Sequence, residues 1–494
     1  MSYSADGAIG GRVPMGMKKV GIIDTTLRDA HQCLWATRMT TGMMLPVAPV
    51  LDRMGFEAIE LVGGAVFDVC VRYLHEDPWE RMRIMSRIIT RTPLIVFMRG
   101  QSLFTFELFS DDVVELTAKR IAANGIRYVT ILDALNDIRN LEVPMRAAKS
   151  AGLYVTGWLI YAISPVHTDQ YFAEKARELV RLGVDGVVLA DPSGIVTPER
   201  VRTLIPALRA AVGSLPLQFH THCSTGVGPI SVLEAIHHGI DTVQTATPPL
   251  AHGAAPPPTN WVVSHARRMG YQIDVDDREL PQVTAYLRYV AAREGLPVGR
   301  IAEYDPFHYE HQMAPGMLSN LRNQLREVGL EDRLQEILEE SVRVRQELGH
   351  LIIVSPFAQF ILTQSVINVL HEERYAMVPD EIRRYALGYF GRPPAPIAPD
   401  VLDRIIGDEV PVTCRAGELI PPSLDRVRRE RGPFASDDDL LLGVFYTPDI
   451  HGLLKAARPI KTEYPVTLSP MSTLVREIAA RPKIRSFTFV ERRP

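Results

Sequence analysis

Eight short apolar runs recur between residues 20 and 246, and a segment with helical spacing separates most neighbouring runs. The runs are rich in Val, Ile and Leu and are almost continuously apolar, which is typical of strands buried on both faces of a parallel sheet. They are VGIID (20–24), AIELV (58–62), LIVFM (94–98), YVTIL (128–132), YVTGWLIY (154–161), GVVLA (186–190), LQFHT (217–221) and TVQTA (242–246). This alternation favours parallel strands joined by right-handed crossovers.

Eight strand–helix units are the number that closes a TIM barrel, a fold that typically occupies about 250 residues. Helical spacing over Asp112–Asn124 and Asp169–Leu182 supplies two of the expected crossovers. An open, doubly wound sheet is the competing arrangement, but a GxGxxG motif does not follow the first run. The sequence therefore predicts an α/β fold built on a (β/α)8 barrel.

The pattern changes near residue 300, where helical spacing replaces the apolar runs. A length of 494 residues exceeds what one compact core usually serves. We expect a disordered or extended N-terminus over 1–17, the barrel over 18–300, a helical domain that completes the active site over 301–400, and an accessory region over 401–494. Residues 316–349 and 357–372 have the spacing of packed helices, and the Pro-rich segment 392–400 predicts a stiff linker.

Composition excludes several classes of partner. A formal net charge of −4 offers no electrostatic basis for binding nucleic acid or an anionic membrane. The apolar runs all fall short of the roughly 20 residues that a membrane span requires, and the N-terminal stretch lacks the apolar core of a signal peptide. The four cysteines form no CxxC pair, so we expect neither a disulfide framework nor a cysteine zinc site. We also expect a cytoplasmic location.

Polar residues follow the predicted strands at their C-terminal ends. They are Asp24, Arg28, Asp29 and Gln32 after the first run, Asp68 after the second, Arg99 after the third, Asp133 and Asn136 after the fourth, Asp191 and Ser193 after the sixth, and His220 and His222 in and after the seventh. TIM-barrel enzymes place their active sites at this rim. The distribution therefore predicts one active site there.

The pair His220 and His222 is the clearest candidate for metal binding. Residues i and i+2 of a strand face the same side, so both imidazoles can reach one ion. With Asp29 from the first loop, the ligands suit divalent Zn, Mn, Co or Fe. An exposed polar alternation is the alternative explanation of an HxH pattern, but a carboxylate on the same rim favours the metal.

Two arginines and a serine are more ambiguous. The planar guanidinium of Arg28 or Arg99 suits a substrate carboxylate or carbonyl, although a surface salt bridge is the commoner role of a loop arginine. Ser319 lies in GMLSNL (316–321), at the expected start of a helix. From spacing alone, an N-cap explains Ser319 best.

Long stretches of the chain resemble one family. They are DTTLRDAHQCLWATRM (24–39), FDVCVRYLHEDPWERM (67–82), MRGQ (98–101), LDALNDIRN (132–140), ISPVHT (163–168), HTHCSTG (220–226), GMLSNLRNQL (316–325) and RVRQELGHLIIVSPFAQFILTQSVINVL (343–370). Residues 18 to about 400 resemble the carboxyltransferases of biotin-dependent enzymes: pyruvate carboxylase, the α subunit of oxaloacetate decarboxylase and the central transcarboxylase subunit. ISPVHT and the C-terminal helices look closest to the oxaloacetate decarboxylase branch.

The resemblance implies a function. Carboxyl groups would move between carboxybiotin and a 2-oxo acid or related enolisable substrate, through a metal-stabilised enolate. It also implies roles for individual residues: Asp29, His220 and His222 as ligands of Zn, Mn or Co; Gln32 and Arg99, with Arg28 nearby, at the substrate; Asp68 in the biotin pocket; and Ser319 as a proton shuttle in place of the family's threonine.

Two positions and one loop depart from the family pattern. Ala190 stands where the family has a carbamylated, metal-binding lysine, so the resemblance implies three protein ligands instead of four. Thr130 replaces an arginine, and PPLAHGAAPPP (248–258) replaces the family's loop after the eighth strand. These changes leave the acceptor substrate open between pyruvate, oxaloacetate and other enolisable acids.

The expected partners follow from what the sequence lacks. An AMKM-like biotin acceptor and a Gly-rich ATP-binding region are both absent. We therefore expect biotin on a separate carrier protein, a separate biotin carboxylase subunit and, from the resemblance, a homodimer. Two alternatives are a metal-dependent lyase or Claisen-type condensing enzyme of the same barrel superfamily, and a non-catalytic scaffold subunit of a carboxylase, which the alanine at 190 motivates.

Overall fold

The computed structural model describes residues 18–465, except for the side chains of Pro315, Ser319 and Asn320. Its centre is a closed barrel of eight parallel strands in sequential order. The strands are β1 (Gly21–Asp24), β2 (Ala58–Gly63), β3 (Leu94–Arg99), β4 (Tyr128–Leu132), β5 (Tyr154–Ile160), β6 (Gly186–Asp191), β7 (Leu217–Thr221) and β8 (Thr242–Thr245). Each one overlaps a predicted run, so the barrel is confirmed.

Helices surround the barrel. They are α1 (His31–Leu34), α2 (Thr41–Met44), α3 (Ala48–Arg53), α4 (Ala65–Val69), α5 (Pro78–Ile88), α6 (Asp111–Ala123), α7 (Glu142–Ser150), α8 (Asp169–Arg181), α9 (Pro198–Val212), α10 (Gly228–His237), α11 (Thr259–Arg268) and α12 (Leu280–Glu294). Helices α1 to α10 lie between successive strands, and α11 and α12 follow β8. The two predicted crossover helices are α6 and α8. Helix α8 packs closely on β5, because a Cβ at Gly157 of β5 would lie 2.8 Å from the Leu179 side chain of α8.

The interior of the barrel is polar at one level. Gln218 donates a hydrogen bond to the Tyr128 hydroxyl at 2.7 Å, and the hydroxyls of Thr130 and Thr156 lie 3.0 Å apart. Thr130 of β4 and Thr156 of β5 are therefore hydrogen-bond partners inside the barrel. A buried polar group without such a partner would cost free energy.

Helices continue after the barrel. They are α13 (His308–His311), α14 (Pro315–Glu327), α15 (Leu334–Glu347), α16 (Phe357–Leu370), α17 (Asp380–Ala386), α18 (Pro399–Ile406), α19 (Leu424–Arg431), α20 (Asp437–Phe445) and α21 (Pro448–Ala456). The predicted helices over 316–349 and 357–372 correspond to α14, α15 and α16. Residues of α14 to α18 form a second hydrophobic cluster, which includes Leu135 from the barrel rim.

The Pro-rich segment 392–400 is not a linker between separated parts. The Ala395 amide donates to the Gly349 carbonyl at 3.1 Å, and the Ala398 amide donates to the Glu347 carbonyl at 2.8 Å. Ile397 is buried in the second cluster. The prediction of a spacer is wrong because this segment packs along the end of α15.

The chain beyond residue 400 divides between two cores. Helix α18 joins the second cluster, whereas Leu441, Phe445 and Tyr446 of α20 and its flank join the hydrophobic core of the barrel. The domain boundaries at 300 and 400 remain a prediction about folding units. Within residues 18–465, none of the helices is both long and apolar enough to cross a membrane.

Candidate active site

The turn that follows β1 carries two of the predicted site residues. Residues Thr26–Ala30 form a single widened helical turn, and Asp24 anchors it by accepting hydrogen bonds from the Thr26 amide at 3.1 Å and the Thr26 hydroxyl at 2.8 Å. Arg28 and Asp29 are both buried. Burial raises the pKa of Asp24 to about 6.

Asp29 meets both histidines at this rim. The carboxylate Oδ2 of Asp29 lies 2.9 Å from His222 Nε2 and 3.9 Å from His220 Nε2. Candidate donor atoms of the three residues all lie within 4.8 Å of one another. Two imidazole nitrogens and one carboxylate oxygen at this spacing are a suitable donor set for a divalent transition metal. The HxH pair is buried, so the exposed alternation that was the competing explanation is wrong.

The electrostatics prepare these groups as ligands. Burial opposes ionisation of Asp29, but the Arg28 guanidinium at 2.9 Å and the two imidazoles hold its pKa well below the usual range. Burial lowers the pKa of His220 to about 3. At neutral pH the carboxylate is therefore charged and the His220 ring neutral, which are the forms that bind a metal.

Arg28 is engaged by protein carboxylates on two sides. Its Nη1 lies 2.9 Å from Asp29 and its Nη2 lies 2.7 Å from Glu60 of β2, while the guanidinium stacks 4.6 Å from the Phe97 ring centroid. Burial raises the pKa of Glu60 to about 7. Arg28 is thus neither a surface salt bridge nor a free cation, and it links β2 to the turn that bears Asp29.

Sequence reasoning missed two residues that contact the site. They are Glu60, which holds Arg28, and Gln244 of β8, whose Oε1 lies 2.9 Å from His220 Nδ1. Both are buried, and Glu60 is the one charged residue of the otherwise apolar strand β2, whereas Gln244 lies between Val and Thr in β8. For Glu60 that contrast was a signal available in the sequence, but it does not identify the partner.

Arg99 lies at the end of β3 and is half-buried. Its Nη1 donates to the Thr105 carbonyl at 2.8 Å, and its guanidinium covers the Phe106 ring at 4.6 Å. Burial lowers its pKa to about 10, so it stays charged at neutral pH. A Cβ on Gly64 would lie 2.9 Å from Arg99 Nη2, and Gly64 has a φ of +45°, so glycine makes room for this side chain.

Gln32 and Asp68 follow the first and second strands as predicted. Gln32 is half-buried in α1, one turn after Asp29. Asp68 is half-buried in α4 and forms an ion pair with Arg72 at 2.8 Å. Both residues therefore lie near the C-terminal rim, although they are not part of the buried carboxylate and imidazole group.

Ser319 lies in the second turn of α14. The helix begins at Pro315 with Ala314 as its N-cap, so the N-cap explanation of Ser319 is wrong. The side chain of Ser319 lies outside the described part of the chain. Its proposed role as a proton shuttle therefore stays a prediction.

Ala190 is paired with His220 in the register of β6 and β7. It is buried in an apolar cluster with Phe97 and Trp158, and Ile352 from the helical part of the chain joins the same cluster. The Trp158 ring lies 4.8 Å from the His220 ring. An apolar wall therefore borders the metal-binding group on this side, and the described residues offer an ion three donors.

The rebuilt loop 248–258 lies against the end of β7. The Cys223 amide, directly after His222, donates to the Ala255 carbonyl at 3.0 Å. Ala255 is fully buried. This loop therefore fixes the chain that carries the second histidine.

Comparisons with known proteins identify the family. A family model described as a conserved carboxylase domain matches residues 309–479. A pyruvate carboxylase subunit of Methanocaldococcus jannaschii is 40% identical over 456 residues, which cover 90% of this chain and 80% of that protein. The 2-oxoglutarate carboxylase large subunit of Hydrogenobacter thermophilus is 33% identical over 433 residues, which cover 86% of this chain and 66% of that protein.

A solved structure agrees with these relatives. The carboxyl transferase domain of Rhizobium etli pyruvate carboxylase, determined with pyruvate, superimposes with a TM-score of 0.82 at 26% identity. The match covers 89% of this chain and 76% of that one. This chain belongs to the family of biotin-dependent carboxyltransferases that includes the archaeal pyruvate carboxylase subunit.

Proposed function

We propose that this chain is the carboxyltransferase subunit of a multi-subunit carboxylase or decarboxylase, acting on a 2-oxo acid or a related enolisable substrate. The observation that carries the proposal is the convergence of Asp29, His220 and His222 at the rim of a family barrel. Zn, Mn or Co bound there would act as a Lewis acid on the substrate oxygen and so favour the enolate.

The protein groups around that oxygen have separate roles. The positive charge of Arg28 keeps Asp29 ionised, and Glu60 fixes the position of Arg28. Arg99 stays charged at the rim and can hold a substrate carboxylate with two parallel hydrogen bonds. Gln32 would donate its amide to the substrate carbonyl or carboxylate.

The proton has to leave the substrate carbon and reach biotin. As the bond between the ureido nitrogen and the carboxyl group breaks, Ser319 would pass the substrate proton to that nitrogen. The enolate carbon then forms a bond to the released CO2, and the reverse sequence decarboxylates the product. Asp68 would line the pocket that receives the biotin ring.

Released CO2 must be kept from water during the transfer. Ile352 from the helical part is 1% exposed and packs with Leu132, Trp158 and Ala190 at the mouth of the barrel. This apolar cover supports a dry site, where electrostatic interactions are stronger than in water. It is also a reason for the helical part to be required for activity.

Partners and substrate extend the proposal. Biotin would arrive on a carrier protein charged by a separate biotin carboxylase subunit, and the carboxyltransferase would act as a homodimer. The relatives named above act on pyruvate in one case and on 2-oxoglutarate in the other. The rebuilt loop 248–258 and Ala190 are reasons to test both acids before choosing.

Family membership removes the basis for a lyase or condensing enzyme, but a scaffold role needs its own test. Purified protein should contain a divalent ion by elemental analysis. With free biotin added, it should exchange protons next to the carbonyl of pyruvate or 2-oxoglutarate for deuterium, as followed by NMR. His222→Ala should lose both properties. Absence of the ion and of exchange in the parent protein would favour a scaffold.

A further inference from the structure

We infer that Gln244 is a positioning residue that sets the tautomer and orientation of His220 for metal binding. The inference rests on the proposed function, since it concerns the same metal site. Gln244 Oε1 lies 2.9 Å from His220 Nδ1, and each residue is only 1% exposed. A contact this well shielded from water is worth more than the same contact at the surface.

The strand register creates the contact. Gln218 and Phe219 of β7 pair with Thr242 and Val243 of β8, so the same register places His220 beside Gln244. On another side of the imidazole lies the Trp158 ring, 4.8 Å away. The ring is therefore held by an apolar surface and by the amide of Gln244.

The chemistry of the amide decides which imidazole nitrogen is free. An amide oxygen can only accept, so Nδ1 of His220 carries the proton and Nε2 keeps its lone pair. Nε2 is the nitrogen that lies 3.9 Å from Asp29 Oδ2. If the amide were turned to present its NH2 group, Nε2 would carry the proton and could not bind an ion. Metal-binding histidines commonly have a hydrogen-bond acceptor of this kind on their second nitrogen.

His222 provides an internal contrast. Its Nε2 lies 2.9 Å from Asp29, but its Nδ1 is buried without a hydrogen-bond partner among the described residues. Asp29 Oδ2 can only accept, so His222 Nε2 carries a proton in the metal-free protein, whereas the partner on Nδ1 of His220 leaves its Nε2 free for an ion. Gln244 therefore gives His220 an acceptor on its second nitrogen, which His222 does not have among the described residues.

Three variants test this inference by metal affinity. Gln244→Met keeps the length of the side chain but removes the acceptor, and we expect metal affinity to fall by about 10- to 100-fold. Gln244→Glu keeps an acceptor, so this variant should keep the metal affinity of the parent. Gln218→Met is the matched control: Gln218 is an equally buried amide that bonds Tyr128 and not a histidine, so its loss should leave the affinity unchanged.

The affinities are measured by titrating each metal-free protein with Co²⁺ against a competing chelator, after circular dichroism has shown that each variant is folded. Equal affinity of the parent and Gln244→Met would overturn the inference. So would equal losses in Gln244→Met and Gln218→Met, because these would indicate only a packing defect.

A second measurement separates this inference from the proposed function. In metal-free protein labelled with ¹⁵N-histidine, NMR should show His220 with its proton on Nδ1, and Gln244→Met should mix the two tautomers. A proton on Nε2 in the parent protein would refute the inference. Failure of the parent to bind any metal would refute the proposed function, while the tautomer measurement would still decide the role of Gln244.

Discussion

Arg28 connects the fold of the barrel to the candidate metal site. Glu60 belongs to the barrel wall and Asp29 to the site, and the arginine spans the two with contacts of 2.7 and 2.9 Å. All three side chains are removed from water. Loss of one partner from such a group leaves a buried charge without compensation.

Replacing Arg28 with Met should destabilise the protein by about 3–5 kcal/mol, because Glu60 and Asp29 would then be buried without a cation. Denaturant unfolding monitored by fluorescence measures the change. Arg72→Met is the control, since Arg72 forms an ion pair with Asp68 that is 41% and 30% exposed. That loss should cost under about 1 kcal/mol. Equal effects of the two substitutions would contradict our interpretation of Arg28.

Replacing Arg99 with Lys should lower kcat/KM by about 100-fold, since a lysine cannot reproduce the two parallel hydrogen bonds to a carboxylate and would misplace the substrate. Stability should change little, because the lost hydrogen bond to the Thr105 carbonyl lies at the half-buried rim. Steady-state assays with the reconstituted carrier measure the effect. Full activity of Arg99→Lys would remove Arg99 from the substrate site.

At the scale of elements, the turn after β1 decides where Arg28 and Asp29 point. Asp24 ends the strand and accepts hydrogen bonds from Thr26, and the Thr247 hydroxyl donates to it at 3.2 Å. The loop after β8 is thereby tied to the turn after β1. Because Asp24 is fully buried, this anchor is sensitive to its own ionisation.

The anchor predicts a dependence of stability on pH. The pKa of Asp24 is about 6 in the folded protein, above the ordinary value of 3.8, because of burial. The folded state therefore holds the proton more tightly than the unfolded state. The contribution of Asp24 to the free energy of unfolding is therefore largest below pH 4. It falls by about 3 kcal/mol as the pH rises through 6.

Asp24→Asn should remove this component, because asparagine does not ionise. Unfolding of both proteins by denaturant between pH 4 and pH 8 measures the difference in their stability. Other titrating groups contribute equally to the two proteins and cancel in this difference. The parent should lose stability relative to Asp24→Asn as the pH rises. A difference that does not vary with pH would show that Asp24 titrates normally.

At the scale of the molecule, a buried carboxylate adds to the apolar contacts that join the C-terminal part of the chain to the barrel. Asp438 of α20 contacts Arg83 of α5 and Arg120 of α6, each at 2.7 Å, and its side chain is 8% exposed. Asn124 donates to the same carboxylate at 3.1 Å. The residues that bring α20 to the barrel thus lie more than 300 positions before it in the chain.

Replacing Asp438 with Asn should destabilise the protein by about 3 kcal/mol, because two arginines lose their shared counter-ion. Thermal and denaturant unfolding measure the change. The adjacent Asp437→Asn is the matched control, since Asp437 is 46% exposed and lies 3.3 Å from Arg428. Equal small effects of the two substitutions would contradict the idea that the buried Asp438 carboxylate holds α20 to the barrel.

The sequence by itself determined the class of fold and the kinds of ligand. Apolar runs and helical spacing are local properties, so the eight strands and the helices α6, α8 and α14 to α16 were predictable. The same holds for His220 and His222, whose spacing in one strand places them on one side. Asp29 was predictable as their companion because all barrel strands end at one rim.

Only the tertiary structure decided which groups meet across the barrel. Glu60 with Arg28, Gln244 with His220 and Ile352 with Ala190 are separated by 32, 24 and 162 positions respectively. Their contacts depend on strand register and on how the helical part closes over the barrel. A local pattern contains neither quantity, because both follow from the packing of the whole chain.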